Sequence, residues 1–218
     1  SNIHFPRNEI ILDYAKRRLI FDEFFILQVG LIKMKRAFQQ EDSGISHIIR
    51  GDLINKFTKR LPFKLTNSQL KVIKDIERDM LSSKPMNRLL QGEVGSGKTI
   101  VSVYALVLAV QSGFQVAYMA PTEVLAQQQY LSLSELLLPL GIEVVLLVSS
   151  LKKSQKDCVY KITEGGEANV IVGTHALIQK NLKFKNLGLV IIDEQHKFGV
   201  LQRASLKEKG LNPDVLIM

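Results

Sequence analysis

The sequence feature that most constrains this chain is the stretch 92–99, which reads Gly-Glu-Val-Gly-Ser-Gly-Lys-Thr. Its glycines let the backbone fold around an anion without Cβ clashes, and N–H groups at the start of a following helix then point at phosphate oxygens. Lys98 is expected to bring a positive charge to the β- and γ-phosphates, and Thr99 a hydroxyl to Mg²⁺. The pattern predicts a nucleotide-binding loop made of Gly92, Glu93, Val94, Gly95, Ser96, Gly97, Lys98 and Thr99.

From residue 65 onward, short apolar segments alternate with helical ones. Strands are predicted at 89–90, 115–119, 142–148, 169–172, 187–192 and 215–218, and helices at 66–82, 100–110, 123–138, 153–163 and 198–209. Apolar strands with helices between them imply a parallel sheet that is covered on both faces. The predicted fold class is therefore α/β, a three-layer α/β/α P-loop domain with a mainly parallel sheet.

An N-terminal helical segment precedes this domain. Residues 8–40 place Ile20, Phe24, Leu27, Leu31, Met34 and Phe38 at spacings of three and four. Such spacing predicts one apolar stripe on a helix, which has to be buried against the domain or against a segment outside this chain. We divide the chain into a helical linker, residues 1–62, and the nucleotide-binding lobe, residues 63–218.

A pair of acids ends one of the predicted strands. Residues 189–192 are all apolar, and Asp193 and Glu194 follow directly. Carboxylates at a buried strand end cost free energy unless they meet a cation or hydrogen bonds. Because a phosphate-binding loop is present, we assign Asp193 to Mg²⁺ and Glu194 to the attacking water. The alternative is a polar strand end without chemistry.

The two residues after these acids carry a separate hypothesis. Gln195 and His196 are candidates for coupling the γ-phosphate to a moving part of the protein. A solvated loop histidine is the alternative interpretation for His196.

Gln69 also has two interpretations. Residues 66–69 read Thr-Asn-Ser-Gln, which suits a capping box in which Gln69 returns to the amide of Thr66. Gln69 is equally suited to the edge of an adenine base, because its amide donates and accepts at once. The sequence leaves both interpretations open.

Two further strand ends carry hydroxyl side chains and short loops. Pro121 and Thr122 follow one strand, and Thr174 and His175 follow another. Such loops can hold a nucleic-acid backbone without reading bases. Helix capping is the alternative for both threonines, and it is favoured when each motif is considered alone.

Composition limits the function classes more loosely. The chain carries 29 Lys and Arg against 21 Asp and Glu, a net charge of +8, which is compatible with binding a phosphate backbone. A single cysteine fits a reducing compartment, and no run of about 18 apolar residues predicts a membrane span.

Taken together, these motifs resemble the first RecA-like lobe of superfamily 2 helicases. Within that group they are most similar to the RecG family of bacterial ATP-dependent helicases, which remodel branched DNA such as stalled forks and Holliday junctions. The segments that carry the resemblance are 89–92, 94–99, 119–123, 173–179, 193–200 and 202–203. The last two also resemble the transcription–repair coupling factor, but residues 120–123, Ala176 and the stretch 5–28 favour RecG.

The resemblance implies a bacterial, cytoplasmic enzyme that uses ATP and Mg²⁺ and acts on DNA. In this family a second motor lobe with arginine fingers follows the strand at 215–218, where this chain stops. We therefore expect the isolated chain to bind nucleotide but to hydrolyse it poorly, since an arginine finger contributes on the order of 10³–10⁵ in rate. The motor of a coupling factor and a non-catalytic nucleotide-binding interaction module are the alternatives. Single-strand-binding and replication-fork proteins are candidate partners, which the sequence does not identify.

Overall fold

The structure, a computed structural model, describes residues 3–41, 44–49, 51–93, 95–194, 209–210 and 212–218. The chain divides into two compact units, Ser1–Asp42 and Ser43–Met218. Among the described residues, no helix combines the length and the apolar character that a membrane crossing requires.

The first unit consists of one long helix, α1 (Glu9–Glu41). The side chain of Asn8 accepts a hydrogen bond from the Ile11 amide at 2.9 Å, which satisfies one of the free donors at the helix start. The predicted stripe residues Ile20, Phe24, Leu27, Leu31 and Met34 are exposed, and the side chain of Phe38 lies outside the described part. Burial of this stripe stays a prediction.

Apolar side chains of α1 also lie outside the predicted stripe. Phe21, Phe25 and Ile26 are exposed as well, and Phe21 stacks on Phe25 with ring centroids 5.8 Å apart. The helix is therefore less one-sided than the spacing suggests, since apolar residues extend around it.

The second unit contains five helices and six strands among its described residues. The helices are α2 (Leu53–Arg60), α3 (Asn67–Met80), α4 (Lys98–Gln111), α5 (Glu123–Leu137) and α6 (Lys153–Gly165). The strands are β1 (Asn87–Leu89), β2 (Gln115–Met119), β3 (Val144–Leu147), β4 (Val170–Gly173), β5 (Leu187–Ile192) and β6 (Asp214–Ile217). Short 3₁₀ helices follow at Leu138–Leu140 and His175–Ile178.

The strands form one sheet in the order β1-β6-β5-β2-β4-β3, and every neighbouring pair is parallel. The predicted fold class is confirmed. Each predicted strand is present: β2 and β5 have the predicted ends, and the ends of the other four strands differ by one or two residues. The helix predicted at 198–209 lies mostly outside the described residues.

The core has two layers, one on each face of the sheet. Strands β2 and β5 are buried along their full length, as expected for parallel strands that helices cover on both sides. Side chains alternate between the faces, so Tyr118 packs with α4 and α5, whereas Met119 packs with α6 and the 3₁₀ helix at His175–Ile178.

A short segment, residues 44–49, packs against the ends of α3 and α4 and the start of β6. The amide of His47 donates to the Met80 carbonyl at 2.9 Å, and Ser112 Oγ bonds both the amide and the carbonyl of Ile48. These bonds join the segment to α3 and α4, so the second compact unit begins well before residue 63. The division at residues 62 and 63 stays a prediction of where the nucleotide-binding domain begins.

The side chains of His47 and Asp214 are in contact at the start of β6, and both are fully buried. The Nε2 atom of His47 lies 3.0 Å from Oδ2 of Asp214, and Asp214 Oδ1 accepts the Met86 amide at 2.6 Å. Burial raises the pKa of Asp214, and His47 lowers it. The pair ties the segment 44–49 to the sheet.

We predict that Asp214→Ala lowers the free energy of unfolding by about 3–5 kcal/mol, because it leaves His47 and the Met86 amide buried without their partner. Urea unfolding followed by circular dichroism measures this. The control is Asp75→Ala, which removes the mostly exposed ion pair with Arg78 and should cost less than about 1 kcal/mol. Equal losses in the two variants would contradict the prediction.

Candidate nucleotide-binding site

Strand order brings the phosphate-binding loop and the acidic pair to one edge of the sheet. The loop follows β1, the acids follow β5, and β6 lies between these two strands. All three run in the same direction, so their carboxyl ends share an edge, with β1 and β5 two strand spacings apart, about 9–10 Å. Ligands of parallel α/β sheets bind at this edge.

Two glycines of the loop adopt backbone angles that favour glycine. Gly95 has φ +82° and Gly97 has φ +81°. A Cβ atom on Gly97 would also lie 2.3 Å from Nε2 of Gln69, far closer than atoms can approach. Gly97 is the N-cap of α4, so the loop leads straight into a helix N-terminus, where anions are favoured.

Lys98 is the first residue of α4, and its side chain returns to the loop. Its Nζ donates to the carbonyl oxygens of Gly92 at 2.7 Å and of Glu93 at 3.0 Å. Thr99 lies in the same turn and is exposed. The Lys98 ammonium group therefore lies against the loop that the sequence assigns to phosphates, while Val94 lies outside the described residues.

Gln69 makes the predicted capping box and an additional contact. Its Oε1 accepts the Thr66 amide at 2.9 Å, and its backbone amide donates to Thr66 Oγ1 at 3.2 Å. Its Nε2 donates to the carbonyl of Ser96 at 3.1 Å. Gln69 thus connects the start of α3 to the phosphate-binding loop, which the sequence pattern did not indicate.

The acidic pair lies directly beyond β5. Burial is the main factor that raises the pKa of Asp193, and the negative charge of Glu194 raises it further. A backbone hydrogen bond at Glu194 and the positive charge of Lys98 act in the opposite direction. This agrees with the strand order, which brings the loop and the acid to one edge of the sheet.

Glu194 has a left-handed backbone, with φ +56°. Non-glycine residues adopt this region rarely, at a cost of about 1–2 kcal/mol, and such residues are concentrated at functional sites.

The donor set suits a magnesium ion shared with phosphates. Among the described residues, no group of three or more His, Cys, Asp and Glu could hold a metal by itself. Mg²⁺ in nucleotide sites uses one or two protein oxygens and completes its shell with phosphates and water. The half-buried carboxylate of Asp193, whose ionised form burial disfavours, and the Thr99 hydroxyl fit this arrangement.

The two predicted DNA-contact loops share this edge but differ in exposure. Thr122 caps α5, since its Oγ1 accepts the Leu125 amide at 3.3 Å, and it remains exposed beside half-buried Pro121. Thr174 is buried and makes no side-chain cap, so the capping interpretation fails there. His175 is exposed.

The coupling candidates Gln195 and His196 lie outside the described residues. Their assignment stays a prediction.

Two side chains near these loops were not identified from the sequence. Glu123 accepts the amides of Ser149 at 2.9 Å and Ser150 at 3.2 Å. A side-chain hydrogen bond with Ser150 is the main factor that lowers the pKa of Glu123, and the two amides lower it further. Glu123 therefore joins the loop after β2 to the loop after β3. Gln129 Nε2 lies 3.5 Å from Asp193 Oδ2. Neither contact has a sequence signal, because both join elements that are distant along the chain.

Comparison with known proteins assigns the family. The DEAD/DEAH box helicase family matches residues 66–215, which include the phosphate-binding loop and the acidic pair. The chain belongs to the DEAD/DEAH box helicase family. Residues 1–65 precede the match and contain α1 and α2.

Similar proteins from several bacteria carry one name. The chain is 47% identical over 218 residues to the ATP-dependent DNA helicase RecG of Synechocystis sp., covering 100% of this chain and 26% of that protein. It is 46% identical over 216 residues to RecG of Thermotoga maritima, covering 99% of this chain and 28% of that protein. The chain thus spans between a quarter and a third of these relatives, and neither of them favours the coupling-factor alternative.

Solved structures agree with this resemblance. A structure of RecG bound to a three-way DNA junction has a TM-score of 0.87 and 43% identity, covering 100% of this chain and 29% of that chain. A structure of Mss116p bound to ssRNA and AMP-PNP has a TM-score of 0.61 and 22% identity, covering 77% of this chain and 38% of that chain. The second similarity shows a shared fold alone.

We predict that Asp193→Asn stabilises the chain in buffer without nucleotide and Mg²⁺. Burial and Glu194 both disfavour the charge on Asp193, and asparagine keeps its shape while removing that charge. The expected gain is on the order of 1 kcal/mol, a rise in Tm of about 2–4 °C measured by thermal unfolding at pH 7. The matched control, Asp157→Asn, changes an exposed acid on α6 and should leave Tm unchanged. A fall in Tm for Asp193→Asn would refute this electrostatic account.

Proposed function

We propose that this chain is the ATP-binding motor lobe of a DNA helicase that remodels branched DNA in bacterial recombination and repair. The similarity to RecG proteins over the whole chain supports this, as does the similarity to a RecG structure bound to a three-way DNA junction. The proposed location is the bacterial cytoplasm. Because the chain spans less than a third of these relatives, the activity belongs to a longer protein.

One observation carries the proposal: Lys98 and the Asp193–Glu194 pair lie at the same edge of the sheet, near enough for their charges to interact. A nucleotide hydrolase needs a cation for the phosphates and a carboxylate for the metal and water in one place. The position of Lys98 and the two acids at one edge of the sheet supports this proposal.

In the proposed site, residues 92–99 hold the triphosphate through backbone amides and the N-terminus of α4. Lys98 exchanges its bonds with the Gly92 and Glu93 carbonyls for the β- and γ-phosphates. Gln69, held by Thr66 and Ser96, contacts the base with the remaining hydrogen-bonding capacity of its amide. The proposed base contact would therefore connect to the phosphate-binding loop through one side chain.

Thr99 and Asp193 would hold Mg²⁺, which neutralises developing charge on the phosphates when it is bound. Glu194 orients the attacking water by accepting a hydrogen bond from it. Glu194 follows Asp193 directly with a left-handed backbone, and we assign the two acids different tasks.

The proposed DNA contacts are Pro121, Thr122, Thr174 and His175, with Gln195 and His196 relaying the state of the nucleotide. Exposed Thr122 and His175 suit direct contact with a phosphate backbone. Thr174 is buried, so we assign its contribution to the shape of the loop and to its backbone amide.

We predict that Lys98→Ala abolishes the stabilisation of this chain by ATP with Mg²⁺. For the unmodified chain, ligand at 100 times Kd should add about 2.7 kcal/mol to the free energy of unfolding. Thermal unfolding with and without ATP measures the difference. The control, Lys153→Ala, removes an exposed lysine on α6 and should retain the full effect.

If the unmodified chain gains no stability from ATP or ADP with Mg²⁺, a motor lobe is excluded and a non-catalytic interaction module is favoured. If Lys98→Ala binds ATP normally, the assignment of the site is wrong.

We predict that Glu194→Gln, made in the longer protein that contains this chain, retains ATP binding and loses hydrolysis by on the order of 10²–10⁴-fold. Glutamine keeps the shape but accepts a proton poorly, so the water is no longer activated. Steady-state phosphate release and equilibrium nucleotide binding measure the two effects separately. Glu135→Gln, an exposed position on α5, serves as the control. Unchanged turnover in Glu194→Gln would remove Glu194 from the mechanism.

We predict that the 218-residue chain alone hydrolyses ATP at a rate lower by on the order of 10³–10⁵ than the longer protein with DNA, because an arginine finger contributes this much in such hydrolases and the chain spans less than a third of its relatives' length. Rapid DNA-stimulated turnover by the chain alone would contradict this.

A further inference from the structure

Two polar side chains close to Asp193, Gln129 and Tyr118, have no role assigned by a sequence motif. Gln129, in the second turn of α5, approaches its carboxylate with 3.5 Å between Nε2 and Oδ2. Tyr118 belongs to β2, the strand next to β5. The two side chains either stabilise the core only or also position Asp193.

The register of the strands places Tyr118 and Asp193 on the same face of the sheet. Tyr118 pairs with Ile191, and Asp193 lies two residues further along the chain. Side chains alternate along a strand, so Ile191 and Asp193 project to the face on which Tyr118 packs. Helices α4 and α5 cover that face, and they carry Lys98 and Gln129.

The hydroxyl group of Tyr118 is buried and has no hydrogen-bond partner among the described residues. Buried polar groups in proteins are almost always paired, and an unpaired one is costly. Burial raises the pKa of Tyr118, and the charge of Asp193 raises it further, so the two groups are close enough to interact. A phenylalanine would fill the same space without this cost.

We propose that Gln129 and Tyr118 are positioning residues for the metal-binding carboxylate: Gln129 holds Asp193 in orientation, and the Tyr118 hydroxyl donates a hydrogen bond to Asp193 when Mg²⁺ and nucleotide are bound. This inference rests on the proposed function, because it assigns the two groups to the same site.

Hydrogen-bond donors around a metal-binding carboxylate affect how well it binds the metal. A carboxylate that binds a metal through one oxygen leaves its remaining lone pairs to neighbouring donors, and those donors set its orientation. Loss of such outer donors typically weakens metal affinity or activity by about 10–100-fold. The unpaired hydroxyl is then a cost of the free lobe that is relieved in the loaded one.

The test uses Tyr118→Phe and Gln129→Leu in this chain. Binding of ATP is measured by calorimetry across a MgCl₂ series and again in EDTA. Each variant should need about 10-fold more Mg²⁺ for half-maximal tight binding, while ATP affinity in EDTA stays within about twofold of the unmodified chain. Tyr118→Phe should also raise Tm without ligand, because it removes an unpaired buried hydroxyl.

Matched controls separate this role from general packing. Tyr104→Phe removes a phenol that does have a partner, the carboxylate of Glu77, on the helix pair α3 and α4. It should lower Tm and leave the Mg²⁺ requirement unchanged. Gln127→Leu changes an exposed glutamine on α5 and should alter neither quantity.

If the unmodified chain binds ATP with Mg²⁺ and both variants need the same Mg²⁺ concentration as it does, this inference is overturned. The proposed function would remain supported in that case. A lower Tm for Tyr118→Phe without ligand would show that the hydroxyl is paired in the free lobe and would overturn its assignment. An unmodified chain without any response to Mg²⁺ would overturn both the proposed function and this inference.

Discussion

Asp193 carries a carboxylate that burial and a neighbouring acid both disfavour, and it keeps that carboxylate opposite the positive charge of Lys98. This opposition is possible only because β1, β6 and β5 are parallel neighbours whose carboxyl ends share an edge. A lone charge at this depth would be expensive. The proposed nucleotide, metal ion and water all depend on this arrangement, because each needs the cation and the carboxylates within one site.

Single side chains connect the loops around that edge to one another. Gln69 joins the start of α3 to the phosphate-binding loop through the Ser96 carbonyl, and Glu123 joins the loops after β2 and β3. A displacement at one loop is therefore resisted by its neighbours. In the proposed motor, these contacts offer a physical route by which nucleotide binding would affect DNA-contact loops, alongside Gln195 and His196.

Two energetically unfavourable features also lie at this edge of the sheet. Glu194 adopts a left-handed backbone, and the Tyr118 hydroxyl has no partner among the described residues. Such features are common where a ligand completes the structure. The opposite end of the sheet also carries buried polar groups, since Asp214 lies there beside His47 and the Met86 amide, and Nδ1 of His47 has no hydrogen-bond partner among the described residues.

Much of the fold was predictable because its signals are local. Apolar runs such as 187–192 indicated buried strands, and the spacing in 92–99 indicated the turn into α4, where Gly95 and Gly97 do have positive φ angles. Predicted helix and strand types agree with the structure wherever it describes them. The single apolar stripe of α1 was less reliable, because Phe21 and Phe25 extend its apolar surface to other sides.

The sequence by itself determined which residues end each strand, and hence that Gly92, Asp193 and the hydroxyl-bearing loops would face one edge. Only the tertiary structure decided which side chains meet there. Gln129 reaches Asp193 from 64 residues away, Gln69 reaches Ser96 from 27, and Thr174 is buried where Thr122 is exposed. The physical reason is that strand ends follow from local hydrophobic pattern, whereas such contacts follow from strand order and register, which bring distant residues together.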